Sequence, residues 1–183
     1  MNNISPIEEL HQAIEAAGLL EKTLELKRNE YLCQAGHRNK QLYFVSSGTL
    51  RIFVTDNNEA EEHTIRFGYQ GDVITALDTF FSNRPSVFYI QALKKTSLKT
   101  MPKDRFMAFL TLHPKYFALW QQLLENLIIQ QIEREIDLLT TSPLERYQRV
   151  LARSPRLFQE IPNKYIASYL RMTPETLSRI KKY

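Results

Sequence analysis

Glycine divides this chain into two kinds of backbone. Of its five glycines, Gly36, Gly48, Gly68 and Gly71 fall within residues 36–71, and none follows Gly71. Tight reversals that need a positive φ are therefore concentrated toward the front. Between these glycines lie short stretches rich in β-branched and aromatic residues, 42–45, 49–54 and 63–67, with 87–93 and 97–101 further on. Several alternate, as in Arg51-Ile52-Phe53-Val54 and Thr64-Ile65-Arg66-Phe67. Strands at this spacing, joined by turn segments such as Asp56-Asn57-Asn58-Glu59, predict a small antiparallel barrel or roll.

Proline announces the helices, because its missing N–H has no partner at the first helical position anyway. Ser5-Pro6-Ile7-Glu8 and Ser142-Pro143-Leu144-Glu145 both carry the capping-box pattern, a serine cap with glutamate three residues later. Pro102, Pro114, Pro162 and Pro174 each precede a helix-compatible run without the full box. The longest helix is predicted over 114–139. Trp120, Leu124, Ile128, Ile132, Ile136 and Leu139 keep helical spacing, and Leu119, Leu123 and Leu127 widen the apolar face. A face this broad needs two partners, the roll on one side and the same helix of a second subunit on the other. Trp120, Leu124, Leu127 and Ile128 are the expected dimer contacts, with a long core helix of a monomer as the alternative. Thr140-Thr141-Ser142-Pro143 breaks the helix. The expected domains are thus 1–113, 114–141 and 142–183.

The net charge of +4 is unevenly distributed. Residues 142–183 carry nine Lys/Arg against three Asp/Glu, whereas residues 1–141 carry fifteen against seventeen. Such asymmetry suits contact with a polyanion at the C-terminal end, or else a solvated basic helical face. Hydrophobic content of 43% and charged content of 24% are ordinary for a globular protein, and no apolar run approaches the ~20 residues needed to span a bilayer. The start MNNISPIEEL lacks a basic segment and an apolar core, so no signal peptide or membrane span is expected and the cytoplasm is the expected location. Cys33 is the only cysteine, which excludes an intrachain disulfide and any cysteine-clustered zinc or iron–sulfur site. His11, His37, His63 and His113 are scattered without metal-ligand spacing and read as structural or surface residues.

Residues 162–182, PNKYIASYLRMTPETLSRIKK, read as two short helices joined by a tight turn. Ile166, Ala167 and Leu170 face inward from the first, and small Ala167 lets the second helix cross closely. Leu177 and Ile180 pack inward from the second, which is capped by Thr173 with Pro174 at its first position. Glu175, Thr176, Ser178, Arg179 and Lys182 remain for the other surfaces. In the major groove an arginine donates to guanine O6 and N7, and a glutamate accepts from cytosine N4.

With these residues the chain resembles the Crp/Fnr family of bacterial transcription regulators. The segment Thr173-Pro174-Glu175-Thr176-Leu177-Ser178-Arg179 is similar to that family's recognition helix, in its E-T-x-S-R form. The resemblance implies an α+β architecture: an N-terminal double-stranded, cyclic-nucleotide-binding-like β-roll, a long dimerisation helix and a C-terminal winged-helix-like helix-turn-helix. It implies Glu175, Ser178 and Arg179 as base readers. Thr173, Thr176, Lys164, Lys182 and Arg171 are the expected backbone contacts. Double-stranded DNA, a second copy of the chain, RNA polymerase and an unidentified small-molecule effector are the implied partners.

Two departures from the family pattern matter. The inter-helix turn position that is often glycine is Arg171 here, and a left-handed backbone costs a non-glycine residue on the order of 1 kcal/mol. Second, cyclic-nucleotide-binding members use a Gly-Glu pair for the ribose hydroxyl and an Arg-Ser pair for the cyclic phosphate. Here these positions hold Gly71-Asp72 and Ser86-Val87, with Arg84 two residues away. Without the guanidinium a buried phosphate lacks its bidentate partner unless a reshaped loop brings Arg84 in, so no cofactor is expected, with a cyclic nucleotide as the alternative. The effector pocket is assigned to Gly71, Asp72, Arg84, Ser86 and Val87.

Two further readings stand beside this one. In the first, the chain is a small-molecule-binding protein whose C-terminal helices mediate protein contacts, because Tyr183 leaves little room for a wing strand. In the second it is a cupin-like enzyme, which would need clustered histidine and carboxylate ligands or a nucleophile motif such as G-x-S-x-G. Neither is visible, so no catalytic residue and no metal ligand is assigned.

Overall fold

The computed structural model describes residues 5–56 and 61–182. Among the described residues, eight strands build two four-stranded antiparallel sheets. The strands are β1 (Thr23–Leu26), β2 (Tyr31–Cys33), β3 (Gln41–Ser47), β4 (Thr49–Thr55), β5 (Glu62–Tyr69), β6 (Val73–Ile74), β7 (Tyr89–Ala92) and β8 (Thr96–Pro102). One sheet has the order β1-β8-β3-β6 and the other β2-β7-β4-β5. Their inner faces meet through Val45, Leu50, Ile52, Ile74, Ile90, Ala92 and Leu98, which fill the middle of the roll. Gly48 turns β3 into β4 at φ 102°, and a Cβ there would lie 2.5 Å from the Thr96 Cα. Only glycine fits that reversal. The five expected strands are β3, β4, β5, β7 and β8. Of the expected turn at 56–59, Asp56 is seen pairing with Glu61 across the hairpin base, and 57–59 lie outside the described residues.

Strand β3 is buried on both faces. Tyr43 and Val45 point into the roll, while Leu42 and Phe44, one residue out of phase, point into a second core. That core is closed by α1 (Pro6–Ala16), α2 (Leu77–Ser82), α3 (Lys103–Leu112) and the start of α4 (Pro114–Leu139). Leu10, Ile14, Phe80, Met101, Phe106, Phe109 and Leu110 fill it. Trp120 lies in the same core, its ring 5.0 Å from Phe106 and 6.4 Å from Phe80. The expectation that Trp120 is a dimer contact is therefore corrected, because an aromatic cage within the same chain buries the indole. Leu124 packs partly buried on that core as well, and Leu127 is half-buried.

The serine half of both capping boxes forms. Ser5 accepts from the Glu8 N–H at 3.2 Å and Ser142 from the Glu145 N–H at 3.3 Å. Pro102 and Pro162 stand one place earlier than the other prolines, as extended cap residues of α3 and α7. The chain packs as two compact units. The first takes in Met1–Val54 and Arg66–Glu125; the second takes in Thr55–Ile65 and Asn126–Tyr183. The second unit holds the end of α4 together with α5 (Pro143–Arg153), α6 (Pro155–Glu160), α7 (Asn163–Tyr169) and α8 (Pro174–Ile180). Among the described residues, no helix is long and apolar enough to cross a membrane.

Candidate nucleic-acid interface and effector cassette

Helices α7 and α8 are the two short helices expected over 162–182, joined by a tight turn. Ile166, Ala167, Leu170 and Leu177 are buried between them and their neighbours. Thr173 caps α8, its hydroxyl accepting from the Thr176 N–H at 3.2 Å, and Pro174 follows in the first turn. Glu175, Ser178 and Arg179 share the exposed side of α8. Glu175 and Arg179 are one turn apart. The Glu175 carboxyl is held below its ordinary range, chiefly by its own backbone N–H, then by the Thr173 hydroxyl, with the charge of Arg179 adding to it. An ionised acceptor and a cationic donor thus stand side by side on one short helix. Lys164, Thr173 and Lys182 are exposed nearby, and Thr176 is half-buried with its hydroxyl 3.2 Å from that of Thr173.

The turn does adopt the left-handed conformation at Arg171, with φ 52°. Arg146, on α5, makes that geometry tenable. Its buried guanidinium donates to the carbonyls of Leu170 at 2.6 Å and Arg171 at 3.2 Å, and to that of Thr140 at 2.9 Å. These include carbonyls that the end of α7 would otherwise leave unpaired. Arg134 supports the same helix end. It stacks 3.8 Å over the Tyr169 ring and donates to the Tyr169 carbonyl.

Much of the C-terminal positive charge is spent inside this unit. Asp137, fully buried, accepts from Arg149 at 3.1 Å and from Arg153, while Glu133 accepts from the same two arginines at 3.1 and 3.4 Å. Sequence reasoning missed this network. Its signal was present in the spacing, since Glu133 and Asp137 are one turn apart and Arg146, Arg149 and Arg153 follow a helical face.

The first residues of β5 belong to the same unit and meet α7 through the Ser168 side chain. The Ser168 hydroxyl accepts from the Thr64 N–H at 3.0 Å and donates to the Glu62 carbonyl at 2.9 Å. Arg171 Nη1 lies 2.5 Å from His63 Nδ1. His63 was read from sequence only as a structural or surface residue, and Ser168 was not singled out. Nothing in their local pattern marks a contact over a hundred positions away.

Of the expected effector residues, Ser86, Val87 and the Arg84 carbonyl meet at α2, where Asp78 joins them, while Gly71 and Asp72 pair with β3 and β5 instead. Asp78 accepts through Oδ1 from the Thr79 N–H at 2.8 Å and the Ser86 hydroxyl at 3.0 Å, and through Oδ2 from the Val87 N–H at 2.7 Å. Asp72 turns back on its own loop and accepts from the Tyr69 N–H at 2.8 Å. Arg84 is exposed, and its carbonyl accepts from the Thr79 hydroxyl at 2.5 Å. Gly71 makes the preceding turn at φ 92°. Burial pushes the neighbouring Cys33 thiol up; the Ser86 hydroxyl opposes that shift and the charge of Asp78 adds to it. A cyclic phosphate received by Ser86 and Val87 would need the two donors that Asp78 already holds.

Residues 23–113 match the family model of the cyclic nucleotide-binding domain. Among solved structures, a mutant of CooA from Carboxydothermus hydrogenoformans superposes with a TM-score of 0.76 at 16% identity, over 94% of this chain and 82% of that one. FixK2 from Bradyrhizobium japonicum gives 0.71 at 18% identity, over 88% and 82%. A transcriptional regulator of the CRP/FNR family from Thermus thermophilus gives 0.65 at 16% identity, over 87% and 83%. At these identities the likeness is one of fold. No curated protein matches the sequence.

Proposed function

We propose that this chain, a cyclic nucleotide-binding-type roll followed by a helix-turn-helix, is a sequence-specific DNA-binding transcription regulator of bacterial type that works as a homodimer. The observation that carries the reading is α8, a capped helix with Glu175, Ser178 and Arg179 exposed together on a turn that Arg146 locks. Those side chains match the donor and acceptor pattern of major-groove edges. A second copy is the occupant argued for the far end of α4. Ile129, Ile132, Ile136 and Leu139 recur at the three-four-three spacing of a coiled-coil seam, and Ile129 and Ile132 are each more than half exposed. Paired recognition helices then read half-sites one helical turn apart, about 34 Å. The roll is the regulatory end, its effector a small molecule still to be identified, and RNA polymerase is the protein partner of such a regulator. No enzymatic role is proposed.

Selection on random duplex DNA at moderate salt tests this. The wild type is expected to recover a palindrome that Arg179→Ala loses, while Lys182→Ala weakens binding to all sequences alike. Equal weakening on selected and random DNA by Arg179→Ala would remove its reading role. Absence of duplex binding even at low salt would favour the C-terminal helices as a protein-contact module.

A further inference from the structure

The segment from Asp78 to Val87 folds around a carboxylate. Asp78 lies in the first turn of α2, and its two oxygens take three donors: its neighbour's N–H, the Ser86 hydroxyl and the Val87 N–H. Ser86 is 2% exposed and fully engaged. Its N–H donates to the His37 carbonyl at 2.9 Å, its carbonyl accepts from the Gly36 N–H at 2.8 Å, and its hydroxyl accepts from the Phe88 N–H at 3.0 Å while donating to Asp78. The Thr79 hydroxyl closes the other side on the Arg84 carbonyl, and Asn83 reverses the chain at φ 60°. Opposite the strands, Phe80 of the same helix is buried in the second core. The loop, the helix and the core beneath are thus fastened together at one anion.

We infer that Asp78 is a built-in anion: its carboxylate occupies the donors at Ser86 and Val87 that would receive a phosphate, so the cassette is closed by its own side chain and takes no cyclic nucleotide. A phosphate placed there would have to displace a tethered carboxylate, and positions 86 and 87 hold no guanidinium to receive it bidentately in exchange. Both anions cannot share the donors, because like charges so close exclude each other. Deleting the carboxylate reverses the situation. Asp78→Ala leaves the Ser86 hydroxyl and the Val87 N–H facing a gap the size of a carboxyl group, which a free carboxylate can fill. The inference concerns the roll alone, and its test uses no DNA.

The test is thermal unfolding of the full chain in sodium formate against sodium chloride at matched ionic strength, with a calorimetric titration of cyclic AMP alongside. The wild type is expected to respond to formate no more than to chloride and to show no saturable cyclic AMP binding. Asp78→Ala is expected to unfold several degrees lower, with formate in the tens of millimolar restoring most of the loss. Asp78→Asn fills the same space but turns an amide donor toward other donors, so its loss is expected to persist in formate. Saturable, micromolar cyclic AMP binding by the wild type would overturn the inference without any variant. So would Asp78→Ala unfolding at the wild-type temperature, or a loss that formate leaves untouched while Asp78→Asn behaves as wild type.

Discussion

Arg146 does for the helix-turn-helix what a glycine does in other turns: it makes a left-handed residue tolerable. Arg171 at φ 52° carries a cost of about 1 kcal/mol, and hydrogen bonds from a cation to carbonyls contribute about 1.5–3 kcal/mol. The balance favours keeping the turn as long as Arg146 is present. Arg146→Met keeps the apolar stem but strands the carbonyls of Thr140, Leu170 and Arg171, and is expected to destabilise the chain by about 2–4 kcal/mol in denaturant unfolding. An unchanged midpoint would show that the turn holds itself. His11 gives a second residue-scale prediction. Its ring stacks 4.7 Å from Phe44, with Nε2 buried and unpartnered among the described residues. Burial lowers its pKa from the ordinary 6.5, Glu15 opposes the shift and Lys99 adds to it. Above that ordinary value the imidazole is neutral both folded and unfolded. As pH falls below it, the unfolded chain takes the proton first, so stability drops until the folded form also titrates. The drop in unfolding midpoint between neutral and mildly acidic pH is expected to be smaller in His11→Phe than in the wild type.

At the scale of elements, α4 carries both what the sequence showed and what it hid. Periodicity marked the helix and its wide apolar face, because residues three and four apart share a side. It did not mark where one partner gives way to another. Trp120 and Leu124 belong to the roll's second core, whereas Ile128, Ile129, Ile132, Ile136 and Leu139 stand exposed. Ile132→Glu with Ile136→Glu is therefore expected to convert a dimer to a monomer by light scattering while leaving the roll folded, and Trp120→Ala to unfold the roll's second core. A double variant that stays dimeric would move the interface elsewhere. Strands β1, β2 and β6 were illegible for a different reason. They are four, three and two residues long, and pairing with β8, β7 and β3 creates them rather than any alternation of their own. The same holds for Asp78, whose role depends on a loop folding back eight positions later. The two C-terminal helices α7 and α8 were legible because caps, a turn and two apolar faces all lie within twenty-one consecutive residues.

For the whole molecule, the sequence-level charge asymmetry is real as a count and misleading as a field. Residues 142–183 hold nine cations, yet Arg149 and Arg153 are paired with Glu133 and Asp137 from the preceding segment, Arg146 is sunk among carbonyls, and Arg156 pairs with Glu160. A potential felt by DNA has to come from the others, and Lys164, Arg179 and Lys182 are exposed among them. Counterion release separates the two groups. Each phosphate contact contributes about 0.9 to the slope of log affinity against log salt. Lys164→Ala and Lys182→Ala are each expected to lower that slope by about one contact with little change in stability. Arg149→Ala should do the reverse: it strips a partner from a fully buried carboxylate, lowering the unfolding midpoint, and leaves the salt slope of the folded protein where it was. Were Arg149→Ala to flatten the slope and Lys182→Ala to leave it alone, the DNA-facing side of this unit would be α5, and α8 would lose its place as the reading helix.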